Sequence, residues 1–466
     1  MLVSSISQLI KDKIKINSEI TISGWVRTKR ISKSGITFII LYDGSNINDI
    51  QVIAYSSLNN YKKEILLITS GCSLTITGKL IKSPKKLQKY EICATQIKVL
   101  GWVKNPETYP ITPKKHSLEY LRKVSHLRSR TKLISSITRI KHNIFLYIHN
   151  FFHKNNFFWI NTPLITTLDT EGSGKMFRVS TLNSKYLFLN KHQKIDFKND
   201  FFGKESFLTV SGQLNLESYA CSMSKVYTFG PTFRAENSNT NRHLAEFWML
   251  EIEMSFTNLK SIMCLAEKLL KYLCKKILHN HIDEINFLSK KNNINLFDKI
   301  NKIIINKFII INYTHAIDIL IKNQKNFNNS VLWGKDLSIE HEKYLTNDYF
   351  NAPVIVYNYP KEIKAFYMYL NEDNKTVSSM DILFPDIGEI IGGSQREHRI
   401  NILDDRINEL KLNKKDYWWY RDLRKYGTVI HSGFGLGFER FVAYITGSYN
   451  IRDVIPFPRT PYNAKF

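Results

Sequence analysis

At 466 residues, 43% of them hydrophobic, the chain can bury a sizeable core and form more than one domain. No apolar run reaches the roughly 18–20 residues of a spanning helix, and the N-terminus lacks a secretory signal block, so a soluble, cytoplasmic protein with no membrane partner is expected. A formal net charge of +25 favours a polyanionic partner such as nucleic acid, although the Lys, Ile and Asn bias of stretches like NKIIINKFIIINY (301–313) weakens that inference.

Residues 1–103 read as an all-β module. EITISGWVRTKR, GITFIILYDGS, DIQVIAY, CSLTITGKLI and KYEICATQIKVLG alternate apolar and polar residues between Gly, Asn and Ser breaks. Five strands in this length suit a Greek-key barrel of the OB type. Pro106, Pro110 and Pro113 mark a hinge or linker over 104–134. SSITRIKHNIFLYIHNFFHKN then predicts an amphipathic helix over 135–155. From about 160 onward strands and helices alternate with long connections, giving 135–466 as one α+β body. The five cysteines, Cys72, Cys93, Cys221, Cys264 and Cys274, form no C-x-x-C pair, which argues against a disulfide framework or thiolate zinc.

No phosphate-binding glycine loop is present, so any nucleotide must be held otherwise. GPTFRAENSNTNRHLAEFWMLEIEM (230–254) offers a different grip. It reads as strand, polar loop and return strand, with Arg234 and Arg242 on either side of the loop and an aromatic, Phe247, opening the return. Two guanidinium forks suit a phosphate chain, and an aromatic face suits a base. HSGFGLGFERFVAYI (431–445) places glycines at 433, 435 and 437, so one strand face is bare and a flat ligand can lie against it. Arg440 follows on the first helical turn.

RAENSNTNRHLAEF resembles motif 2 of the class II aminoacyl-tRNA synthetases, GFGLGFER resembles motif 3, and FFWINTPLIT (157–166) resembles motif 1. With GWVRTKR in an OB-type module and the tail IRDVIPFPRTP, the chain is similar to the aspartyl/asparaginyl/lysyl subgroup from about residue 20 to 466. The resemblance implies an α+β fold, with an N-terminal OB barrel for the anticodon and a catalytic domain on an antiparallel sheet flanked by helices. It implies ATP as substrate, Mg²⁺ as cofactor and a homodimer joined through motif 1. Arg234 would then bind the α-phosphate and stabilise the transition state, Glu236 would approach the adenine amino group, and Phe247 would stack on adenine. Arg242 and Arg440 would hold the γ-phosphate end, with His243 beside them in the ATP site. Asp381 and Glu389 would carry Mg²⁺, while Asp386 between them is expected to be a turn residue.

SGQLNLESY (211–219) resembles the substrate loop, with Ser211 and Gln213 facing the ammonium, and Arg396 in GGSQRE aligns with the arginine that grips the substrate side chain. Aspartyl members carry lysine where this chain has Leu216, and aspartate where it has Glu251. An amide wants one donor and one acceptor, which Arg396 and Glu251 can supply; a substrate carboxylate facing Glu251 would be repelled. Asparagine and its tRNA are therefore expected as substrates, with Glu251 contacting either the amide or the ammonium. TTLDTEGSGKMF (166–177) resembles the lid over the amino acid, with Glu171 near the amine. In the barrel, Phe38 and Gln51 match positions that stack on and read an anticodon uridine, and Arg27, Lys29 and Arg30 would meet phosphates. One departure is Ile430, where the family carries proline before His431.

Overall fold

The computed structural model describes residues 4–11, 14–84, 88–170, 176–183, 195–238 and 240–466. Two compact units emerge, Met1–Thr138 with Phe466, and Arg139–Lys465.

The first unit is built on a closed five-stranded barrel of Glu19–Ile31, Thr37–Tyr42, Ile50–Ala54, Ser73–Lys82 and Tyr90–Gly101. All five strands lie where the apolar alternation puts them. Ile20 and Ile22, Ile39 and Leu41, and Leu74 and Ile76 are i, i+2 pairs that fall on the inner face and are buried together. Closure comes from a parallel contact between Ile50–Ala54 and Tyr90–Gly101, which the sequence pattern does not announce. A short helix, Ile6–Ile10, adds Ile6 and Leu9 to the barrel core and is fixed by a reciprocal Ser5–Gln8 capping box. The 104–134 segment belongs to this unit. The expected amphipathic helix runs Lys132–Lys154.

The second unit is organised on an eight-stranded sheet in the order Ile309–Asn312, Val354–Tyr357, Ser379–Phe384, Gly388–Gln395, His431–Gly437, Glu246–Ser255, Lys225–Phe233, Phe158–Trp159. The six inner strands are antiparallel to one another. At each edge, however, the outermost pair is parallel, so the sheet is mixed and not antiparallel throughout as expected. The reason lies in the connections. A parallel neighbour needs a long crossover, and helix Tyr313–Lys322 lies between Ile309–Asn312 and Val354–Tyr357, as Gln213–Met223 does between Phe158–Trp159 and Lys225–Phe233. The isoleucine-rich stretch around 301–313 divides at Lys307 into the end of helix Leu296–Ile305 and the strand Ile309–Asn312, a split that composition alone leaves ambiguous.

Helix Leu259–Asn280 covers one face of the sheet, packing on Ser379–Phe384, Gly388–Gln395 and His431–Gly437. Buried Ile382, Phe384 and Ile391 belong to these same strands. The charged alternates of the central strands occupy a cavity. Asp386 sits at φ +69° in the turn between two strands, paired with Lys299 at 2.8 Å, which is the turn role expected of it. Among the described residues no helix is long and apolar enough to cross a membrane.

Candidate active site

A cavity of about 490 Å³ lies over the central strands. Its floor is a consequence of the two-residue period of a strand. Phe247, Met249, Glu251 and Glu253 are alternate residues of Glu246–Ser255, and all four line it. Beside them run the glycines. Gly435 stands between Glu251 and Gly392 across the sheet, and Gly433 between Glu253 and Ser394. Gly435 and Gly437 leave backbone open to the cavity, as the spacing predicted, and Gly392 does so from the neighbouring strand. Gly433 serves another purpose. A Cβ there would collide with the Glu253 carboxylate and the Ile252 carbonyl, so its bare Cα makes room for a buried acid.

At one end of the cavity the cations gather. Arg234, Glu236, Arg242, His243, Phe247, Asp381, Glu389 and Arg440 all line it, so every residue expected to touch ATP or Mg²⁺ is brought to one place. The Arg234 guanidinium lies 5.5 Å from the Phe247 ring centre. His243 Nδ1 is within hydrogen-bonding distance of Ser238 Oγ (3.1 Å) and Thr240 Oγ1 (2.6 Å), which ties His243 to the loop before it; Asn239 lies outside the described residues. Arg440 Nη1 donates to the Glu389 carbonyl at 3.1 Å and to its carboxylate at 3.2 Å. Burial, then the nearby charge of Arg440, lowers the Arg242 guanidinium below its ordinary range, and Arg242 Nε is buried with no hydrogen-bond partner. Crowded cations with an unmet donor are a site that an anion would stabilise.

Three partners at this end escaped sequence reasoning. Lys364 Nζ donates to Asp381 at 2.8 Å. Asp336 lines the cavity from a loop. Glu342 stands 3.7 Å from Arg242 and accepts from the Glu389 amide at 3.2 Å. Each lies outside the motifs, on a segment whose own sequence has no chemical signature.

The other end is more deeply enclosed. Ser211 Oγ donates to the Glu251 carboxylate, Gly212 N donates to the same group at 2.9 Å, and Gln213 N donates to Ser211 Oγ at 3.1 Å. Arg396 is buried and grips Glu253, with Nε 3.1 and 3.3 Å from the two carboxylate oxygens and Nη2 also bonded; Nη1 donates to Ser394 Oγ at 2.6 Å. Burial raises both acids, Glu253 to about 8 against the pull of Arg396, and Glu251 against that of Ser211. Glu253 is thus the principal residue missed here. It is two positions beyond Glu251 on one strand, so the alternation alone could have found it. Leu216 does not line the cavity. It is fully buried against Ala220, Val226 and Ile160, so what occupies that position is packed core. Glu171 lies outside the described residues, as does the stretch 171–175 of the expected lid.

In the barrel, Arg30 pairs with Phe38 across two strands, its guanidinium 5.2 Å from the ring centre, and Gln51 stands opposite Ile40, two residues along the same face. Arg30, Phe38 and Gln51 are therefore neighbours. Arg27 and Lys29 are turned to other tasks. Arg27 pairs with Asp49 at 2.8 Å, and Lys29 Nζ donates to the Leu66 carbonyl at 2.5 Å.

Residues 117–461 match the family described as tRNA synthetases class II (D, K and N), and residues 20–100 match the OB-fold nucleic acid binding domain. The chain belongs to the class II tRNA synthetases of the D, K and N group. It is similar to a protein of Buchnera aphidicola subsp. Schizaphis graminum named asparagine–tRNA ligase, at 61% identity over 462 residues covering 99% of each chain. A protein of the same name from Escherichia coli (strain HS) is 56% identical over 466 residues, covering both chains completely. The crystal structure of asparaginyl-tRNA synthetase from Pyrococcus horikoshii complexed with asparaginyl-adenylate superposes with a TM-score of 0.87 at 31% identity, covering 100% of this chain and 99% of that one.

Proposed function

We propose that this chain is an asparagine–tRNA ligase, which activates asparagine with ATP and transfers it to tRNA-Asn. The observation that carries the choice of amino acid is the charge balance of the enclosed end. Arg396, the guanidinium described at that end, is already matched by Glu253. A substrate side-chain carboxylate would face Glu253 and find no unmatched cation in Arg396, whereas an amide can accept from Arg396 and donate in turn. The full-length similarity to asparagine–tRNA ligases supports the same reading.

The α-carboxylate of asparagine attacks the α-phosphorus of ATP, the bond to pyrophosphate breaks, and asparaginyl-adenylate forms. The 3′-hydroxyl of the terminal adenosine of the tRNA then attacks the acyl carbon and releases AMP. Arg234 stabilises charge at the α-phosphate, Arg242 and Arg440 hold the γ-phosphate end, and His243 fixes the loop that carries Arg242. Phe247 stacks on adenine, and Glu236 accepts from its amino group. Ser211, Gln213 and Glu251 take the substrate ammonium. Glu251 is assigned there because it is anchored on the Ser211–Gly212 turn. Glu171 is placed on the lid by resemblance.

A Cβ at Gly392 would lie 3.2 Å from a Glu389 oxygen and 3.4 Å from an Asp381 oxygen, so these two carboxylates flank one bare strand position facing the cavity. Hard oxygen donors fit Mg²⁺, which takes one or two carboxylates and completes its shell from phosphates and water. Asp381 and Glu389 would hold the ion, and it would neutralise triphosphate charge. We assign residues 1–103 to anticodon binding through Arg30, Phe38 and Gln51, 104–134 to a linker and 135–466 to catalysis. We also assign a homodimer, supported by exposed Phe158, Trp159, Leu164 and Ile165 on the motif 1 segment.

Amino-acid-dependent ATP–pyrophosphate exchange tests the reading. Asparagine should support exchange, while aspartate and lysine should be slower by at least about a hundredfold. Exchange driven by aspartate alone would overturn it.

A further inference from the structure

Beneath the enclosed end lies a buried cluster that the proposed chemistry does not use. Glu217 is fully buried on helix Gln213–Met223, one turn after Gln213. Its carboxylate accepts from Tyr420 OH at 2.9 and 2.8 Å, from Arg424 Nη2 at 2.9 Å, and from His431 Nε2 at 2.9 Å. The fourth donor is Gln213 Nε2, at 3.1 Å. Arg424 and Tyr420 come from helix Trp418–Lys425, and His431 opens the glycine-rich strand, so three elements converge on one acid. Burying an ion pair this deeply is costly, and replacing it with apolar residues is often neutral or better for stability. The cluster calls for a reason besides stability.

Gln213 supplies one, because it lines the cavity while its amide nitrogen is committed to Glu217. A glutamine amide has one donor end and one acceptor end of nearly equal shape, and only its neighbours decide which way it faces. An ionised carboxylate accepts and cannot donate. With Nε2 held by Glu217, the amide oxygen is the end of Gln213 left for the cavity the residue lines. An ammonium carries only donors, so an oxygen is the end it needs. Burial alone would protonate Glu217, but the charge of Arg424 and then the contact with His431 outweigh it and hold the group well below the usual carboxylate range.

We infer that Glu217 is a positioning residue for amino-acid recognition: by holding the Gln213 amide nitrogen, it presents the amide oxygen to the substrate ammonium. The inference rests on the synthetase reading above and names a part of its site. In Glu217→Gln the new amide can donate or accept, so Gln213 is free to present either end.

The test measures binding of two non-hydrolysable adenylate analogues, asparaginyl-sulfamoyl-adenosine and the same molecule without its α-amino group. Wild type should prefer the amine-bearing analogue. In Glu217→Gln that preference should fall about tenfold or more, while affinity for the deamino analogue changes by less than about threefold. Equal losses for both analogues, as a merely structural role would give, or an unchanged preference, would overturn the inference. If the single variant fails to fold, the charge-balanced pair Glu217→Gln/Arg424→Gln carries the same comparison. An aspartyl analogue tested on wild type separates the two readings. Preference for it would defeat the asparagine assignment and leave the Glu217 result readable, since both amino acids carry the ammonium.

Discussion

Single residues in this site are defined by what they face more than by their type. Glu342 shows this. Burial, reinforced by the charge of Glu389, pushes its carboxyl up to about 7, against an ordinary value of about 4.3. Below the ordinary value the group is protonated whether the chain is folded or not. Between the two values the folded chain keeps a proton that the unfolded chain has released, so the stability Glu342 contributes is lost as pH rises through about 7. Glu342→Gln removes that dependence. Denaturant melts at pH 5 and pH 8 should show the variant gaining on wild type by on the order of 2 kcal/mol across the interval. A constant difference at both pH values would mean that the carboxyl titrates normally. Glu342 was not legible in the sequence, because a glutamate in SIEHEKYL looks like any helical surface acid until Arg242 is seen beside it.

At the scale of elements, the glycine-rich strand shows how one pattern covers two different needs. Gly433 and Gly435 look equivalent in HSGFGLG. Across the sheet, a Cβ at Gly433 meets a backbone carbonyl and the buried Glu253 carboxylate, neither of which can retreat. A Cβ at Gly435 meets first the tip of Met249, 2.8 Å away, and a methionine end can move. Gly433→Ala should therefore lower stability by about 1–3 kcal/mol, as overpacking does. Gly435→Ala should melt near wild type and instead raise the KM for ATP several-fold, because its methyl enters the cavity. Reversal of the two phenotypes would show that the bare face is used differently.

For the whole molecule, the two units carry separate steps of the proposed reaction. On the assignment proposed above, amino-acid activation uses the sheet and its cavity, whereas tRNA selection draws on the barrel face that holds Arg30, Phe38 and Gln51. Loss of one base–aromatic stack costs about 1–3 kcal/mol. Phe38→Ala should lower kcat/KM for aminoacylation of tRNA-Asn by about tenfold to a hundredfold, with asparagine-dependent pyrophosphate exchange unchanged. A parallel fall in exchange would show that the substitution damages more than RNA contact.

Much of this protein could be read from its sequence, because the signals involved are local. Barrel strands follow from alternation over a few residues, the long helix from its apolar period, and the proposed ATP ligands from short motifs and the family resemblance they carry. The ends of the cavity needed the tertiary structure. Arg396 meets Glu253 across 143 positions of chain, and Glu217 meets Arg424 across 207. Nothing local records such pairings; they follow from the order in which strands join the sheet. The same holds for the parallel edge strands, for Leu216 as packed core, and for Arg27 and Lys29 bonded within their own barrel. Sequence alone determined many of the chemical groups that the chain brings to the proposed ATP end. Only the fold decided which of them are already paired when the substrate arrives, because pairing depends on distance in space and a one-dimensional pattern contains none.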